Sequence, residues 1–267
     1  MSDTPARNQW KLRPRIVIAA VLLQGCASTS ESEPFLSDAS PAPVASASED
    51  RALPLQLTHR SGIEILFASE AEREGAREIL VQSVRLTEAL GQYLGESVPP
   101  FEIRLTDAVR VPYASRGVLN LPADRLDQLD PQWKADPFSI GHEMVHLIGR
   151  GNRSDRLLAE GLAVYLNDKF APPTYPNHGK ALDPLLKTLE TETGRIIPLL
   201  DSEKVRRGRE TRELRQQAYV QEGSFVQWYV EKYGLDRFSK LLLDKRPFDA
   251  DGTDWAALEA EWRRSLL

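Results

Sequence analysis

GHEMVHLIGRGNRSDRLLAEGLAVY, residues 141–165, is the stretch on which the reading of this chain turns. Its first nine residues place His142 and His146 at i and i+4. On a helix both imidazoles then leave one face, with Glu143 about 100° round from His142. Neutral imidazole is a good ligand for Zn²⁺, and two from one helical turn can take adjacent corners of a tetrahedron while the glutamate reaches a water on the metal. Ile140, Met144, Val145, Leu147 and Ile148 make the same helix apolar nearly all round. Three polar groups pressed into a buried element need partners, and a metal supplies them. The plain alternative is a core helix whose histidines are merely hydrogen-bonded.

A third ligand has to come from beyond the helix, and two patterns compete for it. The metzincin pattern HExxHxxGxxH is half present: Gly149 is in place, but its last position is Asn152, and a carboxamide is a poor ligand for Zn²⁺ beside imidazole or carboxylate. The gluzincin pattern takes a glutamate from the following helix, where LLAEGLAVY, residues 157–165, offers Glu160. From His146 to a helix end near Arg150 is about 6 Å, and from Asp155 back to Glu160 is about 7.5 Å. An antiparallel helical hairpin therefore returns Glu160 to the level of the histidines.

HExxH followed by a short loop and LxEGxAxY resembles the MA-like peptidase domain, a branch of the gluzincin clan to which thermolysin belongs. AYVQEGSFVQWYVEKYGLDRFSKLL, residues 218–242, and DWAALEAEWRRSLL, residues 254–267, look like that family's C-terminal helices. The resemblance covers residues 53–267 and is strongest at the metal motifs. It implies a thermolysin-like zincin core in which His142, His146 and Glu160 bind one Zn²⁺. Glu143 would then act as general base on a metal-bound water to hydrolyse peptide bonds. It also implies a tyrosine or histidine donor for the oxyanion; Tyr219, Tyr229, His178 and Tyr113 are candidates, with Tyr219 preferred for its place before the GSF segment. Many gluzincins carry an acidic residue four positions after the ligand glutamate to orient a histidine. Here that residue is Val164, so no partner for the histidines is assigned. The strand 117–121 precedes the metal helix, as the substrate-pairing edge strand does in the clan, and an extended peptide could add to it. The competing reading, from another class, is a lipoprotein that uses the fold as a binding or assembly module without turnover.

Ahead of this domain, Arg7, Lys11, Arg13 and Arg15 precede the apolar run 16–23. That run is too short for a membrane span, which needs about 20 residues, and reads as the core of a signal peptide over residues 1–25. LQGC, residues 23–26, resembles the bacterial lipobox and assigns lipidation to Cys26, the only cysteine in the chain. With Ala27 next, the resemblance to enterobacterial lipoproteins implies the outer membrane, facing the periplasm. Residues 27–52 are rich in Ser, Ala, Pro and acid, cannot bury enough to fold, and form a tether with a reach of roughly 28 Å. Without further cysteines the fold stands on its core and any metal. Removing residues 1–25 takes away four basic groups and one acidic group, so the net charge moves from −5 to −8. That balance argues against nucleic acid as a partner; the expected partners are a protein or peptide substrate and, through the lipid, a membrane.

Two β-like runs, 53–60 and 63–68, flank a Ser61-Gly62 turn. Residues 70–94 keep a helical period in which Ser83 is a polar gap, with Gly95 as the stop. Residues 101–107 and 117–122 read as strands. Asp136 and Pro137 are expected as cap and first turn of the metal helix, running to about Gly149. Helices follow to the end, over about 154–166, 182–191, 213–233, 235–243 and 255–266. The fold class is therefore α+β, a small antiparallel or mixed sheet followed by a mainly helical half. The arginines of residues 204–215 are interleaved with Glu210 and Glu213, and a solvated helix face is expected there. Trp228, Trp255 and Trp262 fall at helical positions and are expected in the core.

Overall fold

Alternation of apolar and polar residues makes the first two strands, β1 (Leu55–Thr58) and β2 (Glu64–Phe67), with Ile65 and Phe67 turned fully inward. They pair antiparallel across a turn in which Gly62, at φ 82°, donates its N–H to the His59 carbonyl. This is a computed structural model that describes residues 55–95, 97–130, 132–148, 156–243 and 254–267, all within the unit Ala47–Leu267. The expected signal peptide, Cys26, the tether and Asn152 lie outside the described residues.

Helix α1 (Arg73–Leu94) buries Ala76, Ile79, Leu80, Leu86 and Leu90 and ends at Gly95 in the left-handed conformation. Ser83, the polar gap in that stripe, is itself wholly buried. The chain returns in β3 (Glu102–Thr106), parallel to β2, then forms β4 (Tyr113–Ser115) and β5 (Val118–Pro122). The sheet order is β1-β2-β3-β5-β4, with β3 and β5 parallel and β4 antiparallel to β5. The sheet is mixed, and its residues Ile103, Leu105, Leu119 and Leu121 are fully buried.

The second half is helical: α2 (Ile140–Ile148), α3 (Arg156–Phe170), α4 (Leu182–Thr193), α5 (Ser202–Arg207), α6 (Arg212–Tyr233), α7 (Leu235–Leu243) and α8 (Trp255–Ser265). The mixed α+β expectation is met, and Trp255 and Trp262 are core residues. Asp136 does cap α2, but that helix begins at Ile140, later than expected. One carboxylate oxygen accepts from the Phe138 N–H at 2.8 Å and the other from the Ile140 N–H at 2.6 Å, while Ser139 sits at φ 52°. Residues 137–139 thus form a turn that the carboxylate spans, where the sequence suggested a first helical turn. No helix among the described residues is long and apolar enough to cross a membrane.

Glycines set how closely the helices approach. A Cβ at Gly161 of α3 would stand 2.5 Å from the Glu222 carbonyl oxygen of α6, and one at Gly223 of α6 would stand 2.4 Å from a Val164 methyl. Each helix thus takes the other where it lacks a side chain, and Val164, the expected acidic position, is consumed as packing against Gly223. A Cβ at Gly141 would meet Ala171 and Asn167, so α2 lies equally close to α3.

Candidate metal centre

Helix α2 supplies His142 and His146 one turn apart, and α3 supplies Glu160 from the opposite side. The two Nε2 atoms are 3.2 Å apart, and Oε2 of Glu160 lies 3.3 Å from His142 Nε2 and 3.6 Å from His146 Nε2. These three side chains form a cluster that could hold a metal ion. Two of the separations exceed the usual range for a hydrogen bond, about 2.7–3.2 Å for N–H···O. Donors placed tetrahedrally about 2.0–2.1 Å from Zn²⁺ stand about 3.3 Å apart. Two imidazole nitrogens and one carboxylate oxygen are also a donor set that zinc accepts. The residues present therefore fit the ion.

His142 is buried, while His146 and Glu160 keep about a fifth to a quarter of their side-chain surface open. Burial alone would raise the Glu160 carboxyl, but the closeness of His142 and His146 outweighs it and holds it well below the usual carboxylate range. For His146 burial pulls downward, yet the neighbouring Glu160 carboxylate and the charge of Glu143 raise it overall. Glu143 is different. Burial pushes its carboxyl up, with Glu160 adding to the effect and His142, His146 and the Ala114 N–H of β4 opposing it. It faces the gap between α2 and β4, two elements in direct contact.

β4 is the outer strand of the sheet here, and β5 is enclosed between β3 and β4. The expectation that strand 117–121 is the edge is thereby corrected. The three-residue β4, with Tyr113 largely exposed, has too little apolar alternation to be read from sequence.

Of the four candidate donors, Tyr219 on α6 lies in ring contact with His142 at 6.3 Å. Burial, with the charge of Glu160 next, raises its phenol despite the opposing pull of Arg206, so the hydroxyl stays protonated. His178 touches Tyr175, which touches Tyr219, and so stands further out. Tyr229 packs in the core with Phe225, Tyr233 and Phe238.

Sequence reasoning missed the group behind Glu160. The arginine-bearing segment is not a solvated face at Arg206, whose side chain is only 6% exposed. It places Nη1 3.3 Å from Oε1 of Glu160 and Nε 3.1 Å from a carboxylate oxygen of the wholly buried Glu222. The Ser202 hydroxyl donates to the other Glu222 oxygen at 2.8 Å. Ser202, Val205 and Arg206 share one face of α5 by the helical period, all buried; that spacing, and an acid in the run QEGSF, were the available signals. Arg207 next door is exposed and pairs with Glu203.

Comparison with known proteins gives no assignment: no family model matches the chain, and no curated protein matches it.

Proposed function

We propose that this chain is a zinc-dependent peptidase of gluzincin type with a thermolysin-like core, carried by a lipoprotein of the bacterial envelope. The observation that carries the reading is the convergence of His142, His146 and Glu160 at tetrahedral spacing, with Glu143 beside them. The zinc would supply Lewis acidity, both to water and to a scissile carbonyl. His142 and His146 would hold the ion through their Nε2 atoms, and Glu160 through Oε2. Glu143 takes a proton from water on a carboxylate oxygen and passes it to the leaving amine nitrogen. Its upward shift by burial suits that exchange. The Tyr219 hydroxyl donates to the oxyanion as it develops. An extended peptide pairs along the open side of β4, the strand whose Ala114 N–H faces Glu143.

Anchoring rests on the sequence of residues 1–26, which assigns a signal peptide and a lipid on Cys26, facing the periplasm. The test is hydrolysis of an unfolded protein by the purified chain, with and without a chelator. Cleavage that stops on chelation and returns with zinc supports the reading. A chain that holds zinc but cleaves no protein or peptide in a library would support the binding-module alternative.

A further inference from the structure

The metal-facing carboxylate has two oxygens, and the structure gives them different partners. Oε2 of Glu160 faces the two histidines, while Oε1 faces Nη1 of Arg206 at 3.3 Å. Arg206 is in turn held from behind. Its Nε donates at 3.3 Å to the Glu222 oxygen that also accepts from the Ser202 hydroxyl, while the other Glu222 oxygen lies 3.1 Å from Nε and is buried without a hydrogen-bond partner. The guanidinium carbon also sits 5.1 Å from the centre of the Tyr219 ring. One buried cation thus touches the third ligand of the site and the proposed oxyanion donor at once.

A buried ion pair of this kind rarely stabilises a fold more than apolar residues of equal volume would. This one is not even fully bonded, since the Nη2 atom of Arg206 is buried without a hydrogen-bond partner. Its consequence therefore lies in what the guanidinium does to Glu160. An unrestrained carboxylate next to a divalent cation is free to rotate and to offer either oxygen or both. A buried cation held at ion-pair distance from Oε1 restrains that rotation.

We propose that Arg206, anchored by Glu222 and Ser202, is a positioning residue that reserves Oε1 of Glu160 for itself and presents Oε2 alone to the metal. This rests on the reading of His142, His146 and Glu160 as a zinc site. It also gives the site an orienting partner that the sequence left unassigned at Val164: the acidic residue expected on α3 is replaced by a basic one on α5, acting on the carboxylate ligand.

The experiment uses the full chain, stripped of metal and titrated with zinc against a chromophoric chelator, and then loaded with Co²⁺ for its visible spectrum. Wild-type protein binding one zinc is the prerequisite, and its failure would fall on the zinc-site reading, not on Arg206. Arg206→Met is combined with Glu222→Gln so that no buried charge is stranded and Ser202 keeps its acceptor. Arg206→Lys is made separately, because it keeps the charge but lacks the fork needed to engage Glu160 and Glu222 together. Circular dichroism confirms that each variant is folded. The double variant is expected to lose about 10- to 100-fold in zinc affinity and to give a weaker Co²⁺ visible absorption, as a second carboxylate oxygen joins the ion. Arg206→Lys is expected to shift both readouts the same way by less, and Arg207→Met to shift neither. Wild-type affinity together with an unchanged Co²⁺ spectrum in the folded Arg206 variants would overturn the proposal.

Discussion

Gly161 meets the backbone of Glu222 so closely that an added Cβ would lie 2.5 Å from the carbonyl oxygen, with a Val226 methyl at 2.6 Å. The glycine after Glu160 is thus the contact that sets the distance between α3 and α6, and with it the position of Glu160. Gly161→Ala is expected to destabilise the protein by about 1–3 kcal/mol through overpacking and to weaken zinc binding as Glu160 is displaced. Denaturant unfolding and zinc titration check both; wild-type values for the variant would show that the contact yields easily.

Glu143 lies beside the ligand set and handles protons without binding the metal in this account. Glu143→Gln should therefore retain one zinc and the wild-type melting temperature while turnover falls by about 10²-fold or more. Metal content and hydrolysis rate are measured on the same preparation. An undiminished rate would remove the general-base role.

Glu160→Ala takes away an anionic ligand and leaves Arg206 facing an empty carboxylate position. Zinc affinity should fall by more than the roughly 10- to 100-fold typical of a residue that only supports a ligand. Asn152→Ala, the corresponding change for a metzincin arrangement, should leave affinity unchanged. Titration of the two variants in parallel decides between the arrangements, and the reverse order would reassign the third ligand.

Asp136 gives the pH dependence. Burial raises its carboxyl from 3.8 to about 6, against the opposing bonds from the N–H groups of Phe138, Ile140, Ser139 and Gly141. The folded state thus holds this proton more tightly than the unfolded chain does. Its contribution to stability is fully present below about pH 4 and is lost as pH rises through about 6, an effect of order 3 kcal/mol. Asp136→Asn does not titrate in this window, so its stability relative to wild type should improve as pH increases from about 4 to 7. Unfolding measured at several pH values tests this; a variant whose stability relative to wild type stays constant or falls over that range would contradict it.

The cluster of His142, His146 and Glu160 was legible because a helix imposes its period on sequence: His142 and His146 share a face, and an antiparallel hairpin of known rise returns Glu160 to them. The two-strand start, α1 and its Gly95 cap, and the later helices were legible for the same reason of periodicity. β4 was not, because three residues carry too little alternation to signal a strand. The outer strand was consequently misplaced onto β5. Arg206 was misread because charge runs in sequence are dominated by residues such as Arg207 that do face water. Its burial follows from the approach of α5 to α6, a tertiary fact with only a faint trace in the spacing of Ser202, Val205 and Arg206. Val164 looked like a missing functional group until its contact with Gly223 showed it to be packing.

Elemental analysis of the purified protein after zinc-supplemented expression decides whether His142, His146 and Glu160 form a zinc site. About one zinc per chain is expected in the wild type, with loss of that zinc in His142→Ala and His146→Ala variants that remain folded. A wild-type protein with a metal content near zero, or histidine variants that keep a full complement of zinc, would contradict it.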